Sequence, residues 1–537
     1  MNDSNIESSD KLLRVASAAL AAGQPAKAVG ACKALIHHYP EFAPGLGVGA
    51  EVALKLNNVN EALELIDRAL ALTAENAHFH VTRAQCLLAL KQLSNAVAEV
   101  QKAPELAPED AVVLHNTATF LSMHCNEHFL ACPYYERAVA LSPRNADYRF
   151  NLAAIYRFLG RTEDAESTSD QALELKPDYY EAHLLRSGLR RQSEAKNHIE
   201  QLENLLAAGI KDWRGETMLC RALAKEYEDI ADYEASFHWL QRGTGLRRKH
   251  TRYDVGVDEK TMEEIARHFS LSFMQQAAPG CDYNNGEAIF ILGLPRTGST
   301  LLERIISSHS DVHAAGELHN FALQLVRICK PHMESGKSFE NEVVAASTRI
   351  DFSELGKAYV ESTRPRTGHV PKFIDKLPFN FLYCGLLHLA LPRARIIHIR
   401  RNPMDSCFAM YKCFFNSAYP MSHDLEQQGR YYLAYRRMMD HWGEVMPGSI
   451  LEVRYEDLVA DQEAQTRRVL NYCELDWQDN CLHFEKNTAP SMTASATEVR
   501  ERIYSSAVGA WRNYEEQLQP LRELLESGDI DLESELP

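Results

Sequence analysis

Apolar and polar positions follow two different rhythms in the two halves of this chain. In the first half small apolar residues recur at a long, fixed period. Ala50, Ala84, Ala118 and Ala153 are spaced by 34, 34 and 35 residues. Ala62, Ala96, Ala131 and Ala165 follow in the same way, as do Ala69, Ala103, Ala138 and Ala172. Pro108, Pro143 and Pro177 each stand five residues after the last alanine of a set. Small residues let two helices approach closely where they cross, and a proline ends the second helix because it cannot continue one. In the second half the rhythm shortens. Ala288-Ile289-Phe290-Ile291-Leu292 is a continuous apolar run, the pattern of a strand buried on both faces in a parallel sheet. Helical patterning follows over 301–306 and dominates 316–360 and 411–442.

The 34-residue period with its closing proline resembles the tetratricopeptide repeat. Four clear copies run over about 44–178, and a weaker one precedes them with Gly23, Ala28 and Pro40. The signal decays at 181–190 and 222–243, as expected of capping units. Such arrays hold a peptide or another protein on one face, so a protein or peptide partner is expected here. Neither His78, His80 nor His115 has a carboxylate or thiolate at helical spacing, and they read as solvated or core histidines. His124, Cys125 and His128 lack further ligands nearby and read as structural. The run Arg247-Arg248-Lys249-His250 reads as a helix end, where cations favour the dipole.

Composition narrows the classes. The chain has 537 residues, enough for more than one core. A net charge of −17 argues against a general nucleic-acid binder. The twelve cysteines contain no CxxC pair, and thiols at apolar positions such as Cys86, Cys384 and Cys407 suit a reducing compartment. No basic, apolar leader opens the chain and no apolar run reaches membrane-spanning length, so a cytoplasmic protein is expected. The acidic stretch 524–537 reads as a solvated tail.

The chemistry lies after the apolar run. Gly293-Leu294-Pro295-Arg296-Thr297-Gly298-Ser299-Thr300 links a strand to a helix N-terminus, where backbone N–H groups and the helix dipole favour an anion. The loop approaches the P-loop pattern GxxxxGK[ST], but Ser299 stands where the lysine belongs and a cation, Arg296, comes earlier. A second apolar strand, 395–399, ends in Arg400-Arg401 where a magnesium-binding acid would serve a nucleoside triphosphatase. Arginines suit a phosphate-rich ligand without a metal.

On these residues the C-terminal half resembles the sulfotransferases, and its PRTGST loop is closest to the tyrosylprotein sulfotransferases. The whole layout is similar to bacterial proteins that fuse tetratricopeptide repeats to such a domain. The resemblance implies the donor 3′-phosphoadenosine 5′-phosphosulfate (PAPS) and no metal. It implies that Arg296, Thr297, Gly298, Ser299 and Thr300 wrap the 5′-phosphosulfate. Glu317, in Ala315-Gly316-Glu317, becomes the general base, and Lys376, in Ile374-Asp375-Lys376-Leu377-Pro378, the lysine at the leaving oxygen. Arg296 joins them in countering charge on the transferring group. Arg401 matches the 3′-phosphate arginine, with Arg400 as the adjacent alternative and Ser406 as a nearer substitute for the serine replaced by Ala409. Tyr455 matches a tyrosine near the adenine, or is a half-buried strand tyrosine. The segment from Arg500 to Trp511-Arg512 resembles a loop that closes over the nucleotide. Ala510 there takes the place of a basic residue, so Arg500, Arg502 or Arg512 would supply charge.

The expected architecture is an α-helical repeat solenoid over 10–250, a helical linker over 251–285, and a P-loop-like three-layer α/β domain with a parallel sheet over 286–537. The expected activity is sulfuryl transfer to a hydroxyl or phenol, protein tyrosine among them, with the repeats recruiting a protein. The alternatives are a repeat scaffold whose sulfotransferase domain is inactive, and a P-loop triphosphatase or kinase, which the missing lysine disfavours.

Overall fold

The small residues that set the period are where the helices cross. The computed structural model describes residues 8–90, 92–125, 127–277, 282–333, 338–415, 418–487, 503 and 505–532. By its contacts the chain divides into two units, 1–177 and 178–537. In the first unit the helices Ala43–Lys55 and Val59–Leu72 form a hairpin, as do Ala111–Cys125 with His128–Leu141 and Ala146–Phe158 with Thr162–Leu175. Ser9–Ala21 and Pro25–His38 form the weaker first copy, and Ala77–Ala89 with Leu93–Val100 another. Every alanine of the three periodic sets is fully buried. A larger side chain at any of them would push apart helices that pack at native density.

The caps repeat as well. Asn76 and Asn145 accept from the backbone N–H groups two and three residues on, and Asp110 does the same. These short polar residues recur at the same period as the alanines, a signal the alanine series alone does not use. His80 finds a partner across a hairpin, not along one helix: its Nδ1 lies 2.6 Å from Glu99, a buried carboxylate that also takes Arg83 and Lys102. His128 stacks on Phe158.

Among the described residues the second unit is built on five parallel strands in the order β2-β3-β1-β4-β5: β1 Ala288–Leu292, β2 Val312–Ala314, β3 Lys372–Asp375, β4 Arg395–Arg400 and β5 Ile450–Arg454. Alternate residues of β1 serve different cores. Ala288, Phe290 and Leu292 face one with Tyr359, Leu387 and Trp442, while Ile289 and Ile291 face the other with Leu302, Ile305 and Val469. Helices thus cover both faces, giving three layers, and this is why the run is apolar throughout. The helices Trp213–Asp229 and Tyr233–His250 lie in this unit, where Phe237 and Leu240 join the first core. Contact density therefore draws its line at 177, where the clear repeats end, whereas the solenoid was expected to run to 250.

One expectation changes. The acidic end is not wholly solvated: Gln519–Ser527 is a helix whose Leu521 and Leu525 are buried, and Leu532 beyond it is buried too. The run 247–250 forms the last turn of the helix Tyr233–His250, as expected, with Arg247 buried there and Arg248 paired with Asp424. Among the described residues every cysteine except Cys413 is buried, and no helix is long and apolar enough to cross a membrane.

Candidate active site

The turn after β1 requires its glycines. Gly293 has φ 145°, and a Cβ there would lie 2.3 Å from the Ile399 carbonyl oxygen on the neighbouring strand. Gly298, at φ 95°, caps the helix Ser299–Ile306, and a Cβ there would strike the Tyr455 ring at 2.5 Å. Between them Arg296 adopts a left-handed conformation, φ 67°. A non-glycine residue held there costs about 1–3 kcal/mol, and such strain clusters at ligand-binding turns. Thr297 ties the turn by donating from Oγ1 to the Leu294 carbonyl at 2.7 Å. Ser299 and Thr300 open the helix. The turn is therefore shaped by its backbone, with Arg296 at its left-handed position.

Two further turns meet beside it. The chain leaving β2 reverses at Gly316, φ 74°, and the chain leaving β3 runs alongside. Ala315 donates to the Ile374 carbonyl at 3.0 Å, and the Lys376 N–H donates to the Gly316 carbonyl at 2.9 Å. Parallel pairing thus carries Glu317 and Lys376, 59 residues apart, to one point. Lys376 Nζ donates to Glu317 Oε1 at 2.6 Å, with the lysine side chain 2% exposed and the glutamate 42%. A buried ammonium at an accessible carboxylate is a pair in which the acid can exchange partners while the cation stays fixed.

Three buried carboxyls escape a reading based on motifs. Asp375 accepts from the Tyr359 hydroxyl at 2.8 Å and from the Leu318 N–H at 3.4 Å, so it braces the segment carrying Glu317. Burial pushes its carboxyl up to about 7. Glu303, in the loop helix, has a buried Oε1, and burial raises its carboxyl while Lys376 opposes the shift. Asp405 accepts from Gly509 N–H at 2.6 Å and Trp511 N–H at 3.1 Å. Only Glu303, seven residues after Arg296 in the loop helix, offers a hint in sequence. The other two depend on contacts across the fold.

The other end of the site is assembled around Arg401. Its Nη1 donates to the Arg296 carbonyl at 3.2 Å, and its Nη2 donates to the Ala507 carbonyl. The guanidinium lies over the Tyr455 ring, 4.9 Å from its centroid. Tyr455 opens the helix Tyr455–Ala460 and is buried between Arg401 and Gly298. The loop, Arg401, Tyr455 and the 505–511 segment are therefore adjacent. Ser406 is not turned toward them: it is fully buried and donates to the Arg401 carbonyl at 3.2 Å. Arg400 reaches Glu452 at 2.7 Å. Arg512 is exposed, its guanidinium 5.5 Å from the Trp511 ring, and it lines a surface cleft with Asp232, Glu515 and Glu516. Arg500 and Arg502 lie outside the described residues.

The two parts of the chain are similar to different known proteins. Residues 288–479 match the model of the sulfotransferase family, and 53–115 and 134–167 match tetratricopeptide repeat models. The chain joins tetratricopeptide repeats to a domain of the sulfotransferase family. It is 29% identical over 417 residues, 76% of its length, to an uncharacterized protein of Aquifex aeolicus (strain VF5), and it spans about half of that relative, 54%. It is 24% identical over 234 residues to protein-tyrosine sulfotransferase A of Caenorhabditis elegans, covering 43% of this chain and 61% of the relative. Among solved structures, a sulfotransferase domain from the curacin biosynthetic pathway aligns over 47% of this chain and 100% of its own, with 16% identity and a TM-score of 0.32.

Proposed function

We propose that the second unit transfers a sulfuryl group from PAPS to a hydroxyl or phenol, with protein tyrosine the first acceptor to test. The observation that carries the reading is the Lys376–Glu317 pair, 2.6 Å apart, beside a strand–glycine–helix cradle that lacks a P-loop lysine. Two glycines, where a Cβ would collide with the Ile399 carbonyl or the Tyr455 ring, fix the turn, and a helix N-terminus held this way suits an oxyanion. Arg296 and the amides of 297–300 would hold the 5′ end. Arg401, Tyr455, Arg500 and Arg512 would meet the rest of the nucleotide, with Ser406 ordering the Arg401 backbone.

In this reading the acceptor hydroxyl displaces Lys376 from Glu317 Oε1. Glu317 accepts its proton as the new S–O bond forms, and Lys376, released, donates to the oxygen that departs with the nucleotide. Arg296 counters charge on the oxygens in transfer. No covalent enzyme intermediate is needed. The repeats would bring a protein substrate or partner, since a fixed array of hairpins presents an extended binding face.

The test is a labelled-donor screen of peptide, carbohydrate and lipid acceptors with the full chain, using Glu317→Ala as control. Transfer to one class, lost in the variant, is expected. Undiminished transfer by the variant would remove Glu317 as the base. A scaffold with an inactive domain, which Ala409 and Ala510 favour, would label nothing.

A further inference from the structure

The helices Trp213–Asp229 and Tyr233–His250 form a hairpin that is tied to the elements around the 505–511 segment. The ties begin at two buried hydroxyls. Ser236 Oγ donates to the Ala224 carbonyl at 2.7 Å, and Thr244 Oγ1 donates to the Leu240 carbonyl at 2.8 Å. A hydroxyl has one hydrogen, so each oxygen is left as an acceptor. The Tyr514 hydroxyl lies 3.0 Å from Ser236 Oγ, and the Tyr411 hydroxyl 2.7 Å from Thr244 Oγ1. Both tyrosines are therefore donors, and both are buried. Ser236 and Thr244 stand about two turns apart on one face of the helix Tyr233–His250. Phe237 joins them, its ring 6.2 Å from that of Tyr411 and 6.3 Å from that of Tyr514.

The two tyrosines belong to opposite sides of the Asp405 clamp. Asp405 and Tyr411 share the helix Pro403–Lys412, while Tyr514 closes the turn Ala510–Tyr514. Asp405 reaches across to the Gly509 and Trp511 amides, and Phe408, one turn after Asp405, meets the Tyr514 ring at 4.4 Å. The hairpin also fixes the end of the helix Pro403–Lys412. Arg221 Nη1 donates to the Tyr411 carbonyl, and Lys412 Nζ donates to Glu228 at 2.5 Å. A cation there answers a carbonyl that the end of a helix leaves open.

A clamp of carboxylate to amide bonds holds only while its two sides stay within hydrogen-bond reach, since such bonds weaken steeply with misalignment. Here one helix face grips both sides. Phenylalanine would supply the rings; each tyrosine adds a hydroxyl committed to that helix. We infer that Tyr411 and Tyr514 are positioning residues of the candidate nucleotide site, through which the helix Tyr233–His250 holds both sides of the Asp405 clamp together. The role toward a nucleotide rests on the sulfuryl-transfer reading; the grip on the segment rests on the contacts alone.

Hydrogen exchange of the full chain, read by mass spectrometry, tests the grip in Tyr514→Phe, Tyr411→Phe and Ser236→Ala. One lost hydrogen bond corresponds to about three- to tenfold. Amides of 509–511 should exchange faster by about that factor in each variant, with strands β1 and β4 at wild-type rates. Tyr514→Phe and Ser236→Ala combined should cost less than the sum of the two, because they remove the same bond. Should Tyr411→Phe fail to fold, the other two variants decide. Calorimetry with adenosine 3′,5′-bisphosphate should show Kd raised by about the same factor as exchange. Faster exchange throughout the second unit, sheet included, would mark ordinary core packing and overturn the inference, as would unchanged exchange at 509–511. Faster exchange there with bisphosphate affinity intact would overturn the nucleotide role. A wild type that binds no bisphosphate would instead sink the donor reading, and exchange alone would then decide the grip.

Discussion

The two ends of the candidate donor site are built by different means. The 5′ end is a local device: one strand, one glycine turn and one helix N-terminus, with Glu317 and Lys376 brought in by the pairing of adjacent parallel strands. The 3′ end is a convergence of distant segments. Arg401 holds the Arg296 and Ala507 carbonyls, and Asp405 holds two amides of the 505–511 segment more than a hundred residues away. A device written in consecutive residues tolerates few substitutions. One held by carboxylate-to-amide bonds is indifferent to many side chains, because amides are present whatever the residue. This explains why Ala510 is compatible with an ordered segment: its neighbours Gly509 and Trp511 contribute backbone N–H groups, not side chains.

The largest effect is expected at the local end. Lys376→Met should lower kcat by about 10²–10³-fold, the usual loss when one donor to a developing charge is removed. Donor affinity should change little, because Lys376 is engaged with Glu317 and not with the nucleotide-binding segments. Steady-state kinetics with labelled donor measure both. A larger change in donor KM than in kcat would break the division between a chemical end and a binding end.

Next comes the brace under that end. Asp375 is fully buried and its carboxyl sits at about 7, above the ordinary value near 4. Between these two pH values the folded chain binds a proton that the unfolded chain has released. Its contribution to stability is complete below about pH 4 and is lost as pH rises to 7, on the order of a few kcal/mol. Urea midpoints at pH 5 and pH 8 should therefore converge in Asp375→Asn, which stays neutral at both. An unchanged slope in the variant would mean that another group carries it.

At the assembled end, Asp405→Ala removes an acceptor from two buried amides. Hydrogen bonds to a charged group contribute about 1.5–3 kcal/mol, and about 1.4 kcal/mol is tenfold in affinity. Binding of adenosine 3′,5′-bisphosphate should weaken about tenfold to a hundredfold with kcat nearly intact. Calorimetry of the bisphosphate complex reads this directly. Asp405→Asn, which keeps one accepting oxygen, should recover part of it.

The same contrast governs what the sequence could disclose. The alanine period, the apolar run of β1 and the glycine loop are local patterns, and each appears where its spacing puts it. The division of the α/β core was also legible, since an all-apolar strand must have two covered faces. Asp405, Asp375 and the buried Arg221 and Arg247 were not. Their meaning lies in what they touch, 16 to 190 residues away, and a charged residue in a helical run looks solvated until its neighbours are known. Ser406 shows the converse: near the right arginine in sequence, its hydroxyl is turned to backbone in the fold.

The smallest effect should come from Arg512, the described basic side chain offered in place of the one missing at Ala510. It is exposed beside Trp511, and a Cβ on Gly509 would lie 2.5 Å from its Nη1, so the guanidinium folds back over the segment that Asp405 holds. An exposed charge there contributes about 0–1 kcal/mol and is screened by salt. Arg512→Ala should weaken bisphosphate binding no more than about fivefold in low salt, with the difference fading near 0.5 M. A loss as large as that of Asp405→Ala, persisting in high salt, would move Arg512 from the rim of the assembled end to its centre. The 3′ end would then depend on a particular side chain after all, as the 5′ end depends on Lys376.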